Sequence, residues 1–498
     1  MAQVLSKSNE SARALDVPST VPAGHQTVAA NYVGYSVEFA FMADYAGNDS
    51  YPNEFSIRLV ENLYNITGEY PMFRAGGSSQ NRVTYNASQE VGVINTFDSP
   101  TDQQPSAVSI GPAWVQSFQQ LPEGTKYIYG TSFYDQDDPL CGGCDGLNET
   151  VTEAKLVYDG IGEALYGYEI GNEVDGWPGG SRRPINWTIN VYVAQWAQYA
   201  EAVLEAIGID EPLLQGCAFE APRHLGYNET PFWNVENAVA FGMNKTLAVT
   251  VADHDYMGAA CDTTSYPTIE GNLLNHTHVT SILYYHDYLG NATAGSGIPY
   301  VLGETNSISC QGQPGISDVF AAALWSVDYV MYLASLKVER VYFHSGTSFF
   351  YSAWQPIEWN GTAAHVNPLY YGNLFTSTVL AGGNKQVAVL ANETSFTAYA
   401  VYDANSTALQ SVVIANLDIF NSTMPAEDRS YITVQLPTEF EGGAVRRLTN
   451  PGVDTAENIT FAGQWIGDDG SVLGSEVVEP LENSTVSVGA GEAVLVSV

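Results

Sequence analysis

Eight short runs of β-branched and aromatic residues recur through most of the chain, and their alternation with helical patterns constrains the fold most strongly. Strands that alternate with helices favour parallel pairing, and eight of them predict a closed (β/α)8 TIM barrel. A doubly wound open sheet is the alternative, but it usually has fewer strands, and no glycine-rich phosphate loop follows the first run. The predicted strands are residues 32–40, 70–75, 126–133, 166–171, 213–219, 247–252, 300–304 and 338–344. Predicted helices between them include residues 55–66, 113–120, 191–207, 278–289 and 317–336.

The sequence changes character after about residue 372. Short strand-like runs broken by Asn, Gly, Ser and Thr replace the helical patterns there. This texture predicts an all-β sandwich. We therefore expect a barrel over residues 28–372 and a β-sandwich over residues 373–498, with residues 1–27 as an N-terminal segment that adds an edge strand to the sandwich.

The chain is strongly acidic, with 17 Lys+Arg against 55 Asp+Glu and a formal net charge of -38. Nucleic acids and anionic membranes both require clustered basic charge, so neither is expected as a partner. No apolar run reaches the roughly 20 residues of a membrane helix, which predicts a soluble chain.

About sixteen Asn-x-Ser/Thr sequons indicate a secreted, extracellular glycoprotein. An Asn-rich surface that is never glycosylated is the alternative. The N-terminus lacks the apolar core of a signal peptide, so we expect that such a peptide has been removed. The glycosylation candidates singled out are Asn48, Asn65, Asn86, Asn148, Asn228, Asn291, Asn392 and Asn458.

Five cysteines suit an oxidising compartment but are too few for a disulfide-dense scaffold. Cys141 and Cys144 are candidates for a small loop disulfide, and Cys261 and Cys310 for a bridge between neighbouring loops. Cys217 lies in an apolar run and is expected to be a buried free thiol. No His/Cys/Asp cluster has metal-ligand spacing, so no metal or cofactor is predicted.

Two glutamates end predicted strands, Glu173 after the fourth and Glu304 after the seventh. Chemistry in such barrels takes place at the carboxyl ends of the strands. Retaining glycosidases need a nucleophile and an acid/base carboxyl about 5–5.5 Å apart. Strands four and seven face each other across the barrel mouth, so the pair predicts a retaining glycosidase; the alternative is two unrelated surface carboxylates.

The motifs around these glutamates resemble glycoside hydrolase family 79, the family of β-glucuronidase and heparanase. The similar stretches are GYSVEF at residues 34–39, FRAGGS at 73–78, YEIGNE at 168–173, HDY at 254–256 and GETNS at 303–307. They span most of the predicted barrel and are closer to the exo-acting β-glucuronidases than to animal heparanase. The resemblance implies that Glu173 is the acid/base and Glu304 the nucleophile.

Other polar residues are expected around the catalytic pair. Asn172 is placed at the sugar 2-hydroxyl and Arg74 at the nucleophile carboxylate, although a plain barrel ion pair is the alternative for Arg74. Glu38, at the end of strand one, is a candidate for the sugar hydroxyls. His254 and Tyr256 are predicted to follow strand six, close to the nucleophile or the sugar carboxylate. A structural role remains the alternative for His254 and His344.

Recognition of the substrate carboxylate is what distinguishes a glucuronidase from related glycosidases. Few basic residues are available to bind that carboxylate. Tyrosine hydroxyls and backbone N–H groups are expected to bind it instead, and the resemblance nominates Tyr351 and Tyr256. Aromatic packing or a stacking platform for another sugar is the alternative for these two residues. The acidic surface disfavours an endo-heparanase, whose substrate is a polyanion.

We therefore predict a retaining exo-β-glucuronidase, assumed monomeric, whose partner is a glycan with terminal β-glucuronic acid, 4-O-methylated or not, as in arabinogalactan. The rival within enzymes is a β-glucosidase or α-L-arabinofuranosidase of the same clan. The rival outside enzymes is a catalytically inactive carbohydrate-binding protein, which would be expected to have lost one of the two glutamates.

Overall fold

A computed structural model describes residues 12–135, 138, 144–221 and 231–498, and it contains a closed parallel barrel of eight strands. The strands pair in chain order, and the eighth pairs with the first through the register Val341 to Val33. Each predicted run overlaps one strand, so the barrel prediction is confirmed. The strands, numbered one to eight below, are Val33–Glu38, Phe73–Gly76, Tyr127–Thr131, Leu165–Ile170, Leu214–Phe219, Ala248–Tyr256, Tyr300–Asn306 and Val341–Ser345.

Helices follow the strands and cover the outside of the barrel. The predicted helix at residues 113–120 is a 3-10 run, Pro112–Gln119, which buries Trp114 and Phe118. Helices Gly146–Ile161 and Pro368–Val379 were not predicted. The second of these contains residue 372, so the predicted domain boundary falls inside a barrel helix. The α-helices are Met42–Ala46, Glu54–Thr67, Gly146–Ile161, Ile189–Ile207, Val235–Ala240, His276–Ala294, Phe320–Ser335 and Pro368–Val379.

The inside of the barrel changes from apolar to polar along the strands. Its amino-terminal end is filled by a small cluster formed by Met72, Ile128, Ala252, Val301 and Tyr342. Strand residues alternate between the two faces of a sheet, so positions two further along point inward as well. In strands two, six and eight these positions are Arg74, His254 and His344, all at most 2% exposed. The apolar cluster thus forms the floor on which a polar layer rests.

Two sheets form the C-terminal β-sandwich, the larger one antiparallel and the smaller one mixed. The larger contains Lys385–Glu393, Phe396–Asp403, Leu409–Asn416, Glu492–Ser497, Ala444–Thr449, Thr460–Phe461 and Glu479–Pro480. The smaller pairs Tyr431–Gln435 with Thr485–Gly489 and, in parallel, with the N-terminal edge strand Arg13–Ala14. An apolar core of residues from both sheets lies between them.

The larger sheet is buried on both faces. Alternate residues of its strands, such as Ala398 and Ile414, face the core of the sandwich, and their neighbours Tyr399 and Val413 face the barrel. The barrel side is the helix Phe320–Ser335, of whose 16 residues nearly all are buried. The two parts therefore share one continuous apolar interface.

Three short strands form a small sheet beside the mouth of the barrel, after strand two. They are Val83–Tyr85, Val93–Thr96 and Ala107–Ile110. The loop between the last two, residues 97–106, reaches the carboxyl end of the barrel, where Nε2 of Gln104 donates to Glu38 at the end of strand one.

Cys261 and Cys310 form a disulfide, as predicted. Cys217 is a buried free thiol. Cys144 is disulfide-bonded, whereas Cys141 lies outside the described residues. Among the sequons singled out, Asn228 also lies outside them, and the other seven asparagines are exposed. No helix within the described ranges is long and apolar enough to cross a membrane.

Candidate active site

Glu173 and Glu304 meet at the carboxyl end of the barrel. One carboxylate oxygen of each, together with a ring nitrogen of His254, lies within 4.8 Å of the others. Glu173 follows strand four with φ 52° and ψ 43°, and its N–H donates to the carbonyl of Ala218 at 2.8 Å. Glu304 lies within strand seven, two residues before the strand ends. The sequence separates the pair widely, and barrel closure brings it together.

Arg74, on strand two, holds Glu304 and the neighbour of Glu173, Asn172, in place. Its Nη1 donates to Oε2 of Glu304 at 2.7 Å and to Oγ of Ser36 at 2.8 Å. Its Nη2 donates to Oε1 of Glu169 at 2.5 Å and to Oδ1 of Asn172 at 2.7 Å, and its Nε donates to Glu169 at 3.0 Å. All five N–H donors of the guanidinium are thus used. This matters because a buried cation is tolerated only where it is fully paired.

Glu304 is held in its ionised form. Burial raises the pKa of this carboxyl, but His344, His254, Arg74 and the hydrogen bond from Tyr256 outweigh it and keep the pKa well below its usual value. Oε1 of Glu304 accepts from the Tyr256 hydroxyl at 2.7 Å, and Oε2 accepts from Arg74. An anionic carboxylate with its two oxygens oriented in this way suits a nucleophile.

The pKa of Glu173 is shifted in the opposite direction. Burial raises its pKa well above the ordinary value, and the charges of Glu304 and Glu220 raise it further. Its side chain is nevertheless 27% exposed, against 8% for Glu304, so it faces the mouth of the barrel. Two neighbouring carboxyls whose environments push their pKa values apart are the mark of an acid and a nucleophile.

Two histidines flank the pair with different charge. Nδ1 of His254 lies 3.0 Å from Oε1 of Glu173, and burial lowers the pKa of His254 to about 4, so this ring is neutral above that pH. Burial also opposes the charge on His344, but the carboxylates of Glu304 and Glu38 outweigh it and raise its pKa. Arg74 and His344 are therefore the cations that hold Glu304 ionised.

Glu38 lies at the end of strand one and is fully buried. Its Oε1 accepts from the backbone N–H of Ser79 at 2.8 Å and also from the Ser79 hydroxyl, and its Oε2 accepts from Nε2 of Gln104 at 3.0 Å. Nε2 of His344 lies 3.4 Å from Oε2. Both oxygens are thus engaged, and Glu38 supports the wall of the pocket through Gln104 and His344.

The two aromatic candidates lie beside the nucleophile. His254 and Tyr256 belong to strand six, which runs to Tyr256, and so do not follow it as predicted. The rings of Tyr256 and Tyr351 are 6.1 Å apart. Since the Tyr256 hydroxyl donates to Oε1 of Glu304, its proton is committed to that carboxylate. Tyr351, 3% exposed, is held through its carbonyl by Nδ2 of Asn306 at 2.9 Å.

Sequence reasoning missed several supporting residues. Glu169 pairs with Arg74, and Nε2 of Gln215 donates to Oε2 of Glu169 at 2.6 Å. The side chain of Asn81 bridges the backbone N–H and carbonyl of Asn172. The strand alternation marks Glu169 as inward-facing, so the pattern alone was sufficient to find it. Asn81 lies in a 3-10 turn, where no regular sequence pattern predicts the direction of its side chain.

The spacing of Glu173, His254 and Glu304 would also suit a metal ion, which the sequence did not predict. The chemistry of the cluster favours the carboxylate pair. Arg74 already places a full positive charge on Oε2 of Glu304, and a metal ion would have to compete with it. A glycosidase that works with two carboxyls needs no metal.

The chain is similar in sequence to known glycoside hydrolases. Residues 398–495 match the family model for the glycosyl hydrolase family 79 C-terminal beta domain. A protein of Aspergillus niger named β-glucuronidase is 32% identical over an alignment of 458 positions, which covers 87% of this chain and 82% of that protein. A β-glucuronidase of Neurospora crassa is 30% identical over an alignment of 509 positions, which covers 92% of this chain and 89% of that protein.

Solved structures share the fold. A 4-O-α-L-rhamnosyl-β-D-glucuronidase from Fusarium oxysporum 12S superposes with a TM-score of 0.81 at 24% identity, over 97% of this chain and 100% of that one. A family 51 α-L-arabinofuranosidase from Bifidobacterium longum superposes with a TM-score of 0.58 at 14% identity, over 98% of each chain. A barrel joined to a β-sandwich is thus common to these enzymes.

Proposed function

The chain belongs to glycoside hydrolase family 79, and on that premise we propose that it is an exo-acting β-glucuronidase that retains the anomeric configuration. The substrate class is a glycan that ends in β-linked glucuronic acid. The observation that carries the proposal is the catalytic pair, with Glu173 and Glu304 oxygens within 4.8 Å and pKa values shifted in opposite directions. This separation suits double displacement, in which the nucleophile attacks the anomeric carbon directly.

The first step forms a covalent intermediate. An oxygen of Glu304 attacks C1 of the glucuronate, the bond from C1 to the glycosidic oxygen breaks, and Glu173 gives its proton to that oxygen. Nδ1 of His254 lies 3.0 Å from Oε1 of Glu173, which leaves the other oxygen of this carboxyl to face the leaving group. Arg74 engages Oδ1 of Asn172, so the amide of Asn172 has its N–H donors for the sugar 2-hydroxyl.

The second step releases the sugar. Once Glu304 is esterified its charge is gone, so the main ionic cause of the raised Glu173 pKa disappears. Glu173, now ionised, takes a proton from water as the oxygen of that water attacks C1 and the ester bond breaks. Glu304 leaves as a carboxylate, stabilised again by Arg74 and Tyr256. Two inversions at C1 give net retention.

Recognition of the uronic carboxylate is assigned to Tyr351 and its loop. Tyr351 lies against Tyr256, which binds Oε1 of Glu304, whereas Arg74 joins Oε2 of Glu304 to Asn172. A hydroxyl donor there places the glucuronate carboxylate opposite the 2-hydroxyl, as the ring geometry requires. Tyr256 contributes through the nucleophile, since its proton is already bound to Glu304.

Secretion and glycosylation form part of the same proposal. Seven of the sequon asparagines singled out are exposed, as acceptor sites must be. A disulfide between Cys261 and Cys310 fits an oxidising compartment. The expected form is a monomeric extracellular glycoprotein, and glycopeptide mass spectrometry of the secreted protein tests this.

Substitution of the catalytic pair tests the function. Glu304→Ala should lower kcat for p-nitrophenyl β-glucuronide by about 10⁴-fold or more, while the fold is kept. Glu173→Ala should regain turnover with azide and yield the β-configured glucuronyl azide, because azide attacks the intermediate without needing a base. Glu304→Ala with normal activity would contradict the nucleophile assignment, and an α-azide product would contradict retention.

A substrate panel separates the remaining rivals. We expect p-nitrophenyl β-glucuronide to be hydrolysed in preference to the β-glucoside and the α-L-arabinofuranoside, because a buried tyrosine left without its carboxylate partner loses binding energy. A preference for either neutral sugar would overturn the proposed specificity while leaving the catalytic pair in place.

A further inference from the structure

We propose that Asn81 is a positioning residue for Glu173, because its side chain fixes the backbone turn from which the Glu173 carboxyl projects. The inference rests on the proposed function, in which Glu173 is the acid/base. The hydrogen bonds of the Asn81 side chain go to the backbone of Asn172, so Asn81 acts through the residue that precedes the acid/base. Asn81 and Asn172 are 91 positions apart in the chain and meet at the mouth of the barrel.

The hydrogen-bond ladder of the barrel stops before this turn. Strand four ends at Ile170, which pairs with Thr131, and the N–H of Gly171 donates to the Thr131 carbonyl at 3.1 Å. Strand three also ends at Thr131, so it offers no partner to Asn172. The Asn81 side chain supplies both bonds instead, since Nδ2 donates to the Asn172 carbonyl at 2.9 Å and Oδ1 accepts from the Asn172 N–H at 3.0 Å. One side chain thus takes the place of a neighbouring strand.

The turn that Asn81 holds has an uncommon backbone conformation. Gly171 has φ 79° and Glu173 has φ 52°, so left-handed residues lie on both sides of Asn172. Glycine adopts this conformation freely, whereas a residue with a Cβ does so at a cost. Such a conformation persists only where its surroundings fix it. The Ala218 carbonyl fixes the N–H of Glu173 at 2.8 Å, and Asn81 fixes the residue before it.

Asn81 is itself held firmly. It lies in the 3-10 turn Ser78–Arg82 and is 6% exposed. Ser79 of this turn donates to Oε1 of Glu38 from its backbone N–H, at 2.8 Å, and from its hydroxyl. The Ser79 Oγ also accepts from the N–H of Ala40 at 3.0 Å. The turn is therefore tied to the end of strand one, and Asn81 transmits this support to the end of strand four.

Loss of Asn81 should affect the acid/base and spare the nucleophile. Oδ1 of Asn172 still accepts from Nη2 of Arg74 at 2.7 Å, so the amide proposed for the sugar 2-hydroxyl stays in place. Nη1 of Arg74 still donates to Glu304 at 2.7 Å. The direction of the Glu173 carboxyl changes, and with it the transfer of a proton to the leaving group.

Leaving groups that differ in their need for a proton test the inference. 2,4-Dinitrophenolate leaves without protonation, phenolate leaves slowly without it, and kcat/KM reports the step that breaks this bond. In Asn81→Ala, kcat/KM for phenyl β-glucuronide should fall about 10²-fold. For 2,4-dinitrophenyl β-glucuronide it should fall by no more than about threefold. Equal losses on the two substrates, or no loss on either, would overturn the inference.

A second substitution at the same position keeps the test independent of any folding defect in Asn81→Ala. Asn81→Asp has nearly the same shape and keeps the acceptor for the Asn172 N–H, but it loses the donor to the Asn172 carbonyl. Its loss on the phenyl substrate should therefore be smaller than that of Asn81→Ala and should again spare the dinitrophenyl substrate. A loss in Asn81→Asp that is the same on both substrates would contradict the role given to Asn81.

Asn450 in the sandwich provides a matched control for stability. It is buried, its Nδ2 donates to the Glu457 carbonyl at 2.9 Å, and its Oδ1 accepts from the Gly452 N–H at 2.5 Å. Asn450→Ala should lower Tm by about as much as Asn81→Ala and leave kcat/KM for both substrates unchanged. A leaving-group dependence in Asn450→Ala would show that a loss of stability is enough to produce it, and would overturn the inference.

Glu173→Ala separates a failure of this inference from a failure of the proposed function. It should show the same dependence on the leaving group as Asn81→Ala, but a larger loss on the phenyl substrate. If Glu173→Ala shows no such dependence, the acid/base assignment is wrong and the inference falls with it. If Glu173→Ala shows it and Asn81→Ala does not, only the role of Asn81 is refuted.

Discussion

Arg74 is the residue on which the electrostatics of the site depend most. Its five donors connect Glu169, Ser36, Asn172 and Glu304, so one cation fixes both the proposed nucleophile and the amide proposed to bind the 2-hydroxyl. The network contains no other permanent cation among the contacts described, and His344 adds charge only when protonated. The ionisation of Glu304 therefore depends on a small number of neighbours, each of which can be tested.

Replacing Tyr256 should shift the pH dependence of the reaction. The Tyr256 hydroxyl holds Oε1 of Glu304 and lowers the pKa of this carboxyl. Without it the pKa of Glu304 rises, so a larger fraction is protonated and inactive at low pH. The acidic limb of kcat/KM should therefore move to higher pH in Tyr256→Phe, with kcat lower by about 10²-fold.

Tyr351→Phe is the matched control for this prediction. Its hydroxyl is assigned to the substrate, so its loss should raise KM and leave the acidic limb where it is in the native protein. A shift of the acidic limb in Tyr351→Phe, or none in Tyr256→Phe, would reverse the roles given to the two tyrosines. The measurement is a pH profile of kcat/KM for both variants.

At the scale of elements, irregular strand ends direct the catalytic side chains. Register shifts occur in strand five between Cys217 and Phe219 and in strand six between Asp253 and His254. Cys217 and Ala218 have φ of 72° and 52°, in the left-handed region that non-glycine residues rarely adopt. The Ala218 carbonyl, turned by this bulge, accepts from the N–H of Glu173. The strain is thus located where it positions the acid/base.

The disulfide also connects elements of the barrel, because it joins the loops after strands six and seven. It closes a sequence separation of 49 residues between Cys261 and Cys310. Cys261→Ser with Cys310→Ser should lower the free energy of unfolding by about 2–4 kcal/mol, since the unfolded chain gains freedom. Backbone hydrogen bonds such as Met257 N–H to the Ser307 carbonyl remain, so kcat/KM should change little.

Denaturant unfolding of the three cysteine variants tests this prediction. Each single variant should lose as much stability as the double one, because either change removes the same bond. A double variant as stable as the native protein would show that the bridge constrains nothing of consequence in the unfolded chain.

The whole molecule is held together by the interface between barrel and sandwich. At its centre Asp328, fully buried in the helix Phe320–Ser335, accepts from the Tyr399 hydroxyl at 2.6 Å and lies 2.9 Å from Nδ1 of His276. Tyr399 belongs to the sandwich, and Asp328 and His276 belong to barrel helices. A polar group buried at such a place is tolerated because it is hydrogen-bonded.

Tyr399→Phe should therefore destabilise both parts together. The loss of a buried hydrogen bond to a carboxylate should cost about 1.5–3 kcal/mol of unfolding free energy. Tyr402→Phe is the control on the same strand, because its hydroxyl donates only to the Pro18 carbonyl, and should cost about 0.5–1.5 kcal/mol. We expect one unfolding transition by circular dichroism and by activity, whereas two separate transitions would contradict a shared core.

The sequence by itself determined the barrel and the sandwich, and it singled out the two glutamates proposed as the catalytic pair. Period-two and helical patterns are local, so they can be recognised without knowledge of tertiary contacts. They were sufficient to predict the eight strands and to locate the two glutamates at the ends of strands four and seven. The helix Pro368–Val379 was not predicted because it is buried almost throughout. It therefore has no polar face, and its sequence lacks the helical alternation of polar and apolar residues.

Only the tertiary structure decided how the pocket is divided. It committed the Tyr256 proton to Glu304 and covered Glu38 with Ser79 and Gln104. These arrangements depend on side chains that meet from distant loops and on bulges that turn strand ends. Neither the loop contacts nor the bulges produce a periodic pattern in the sequence, because these contacts form only after the barrel has closed.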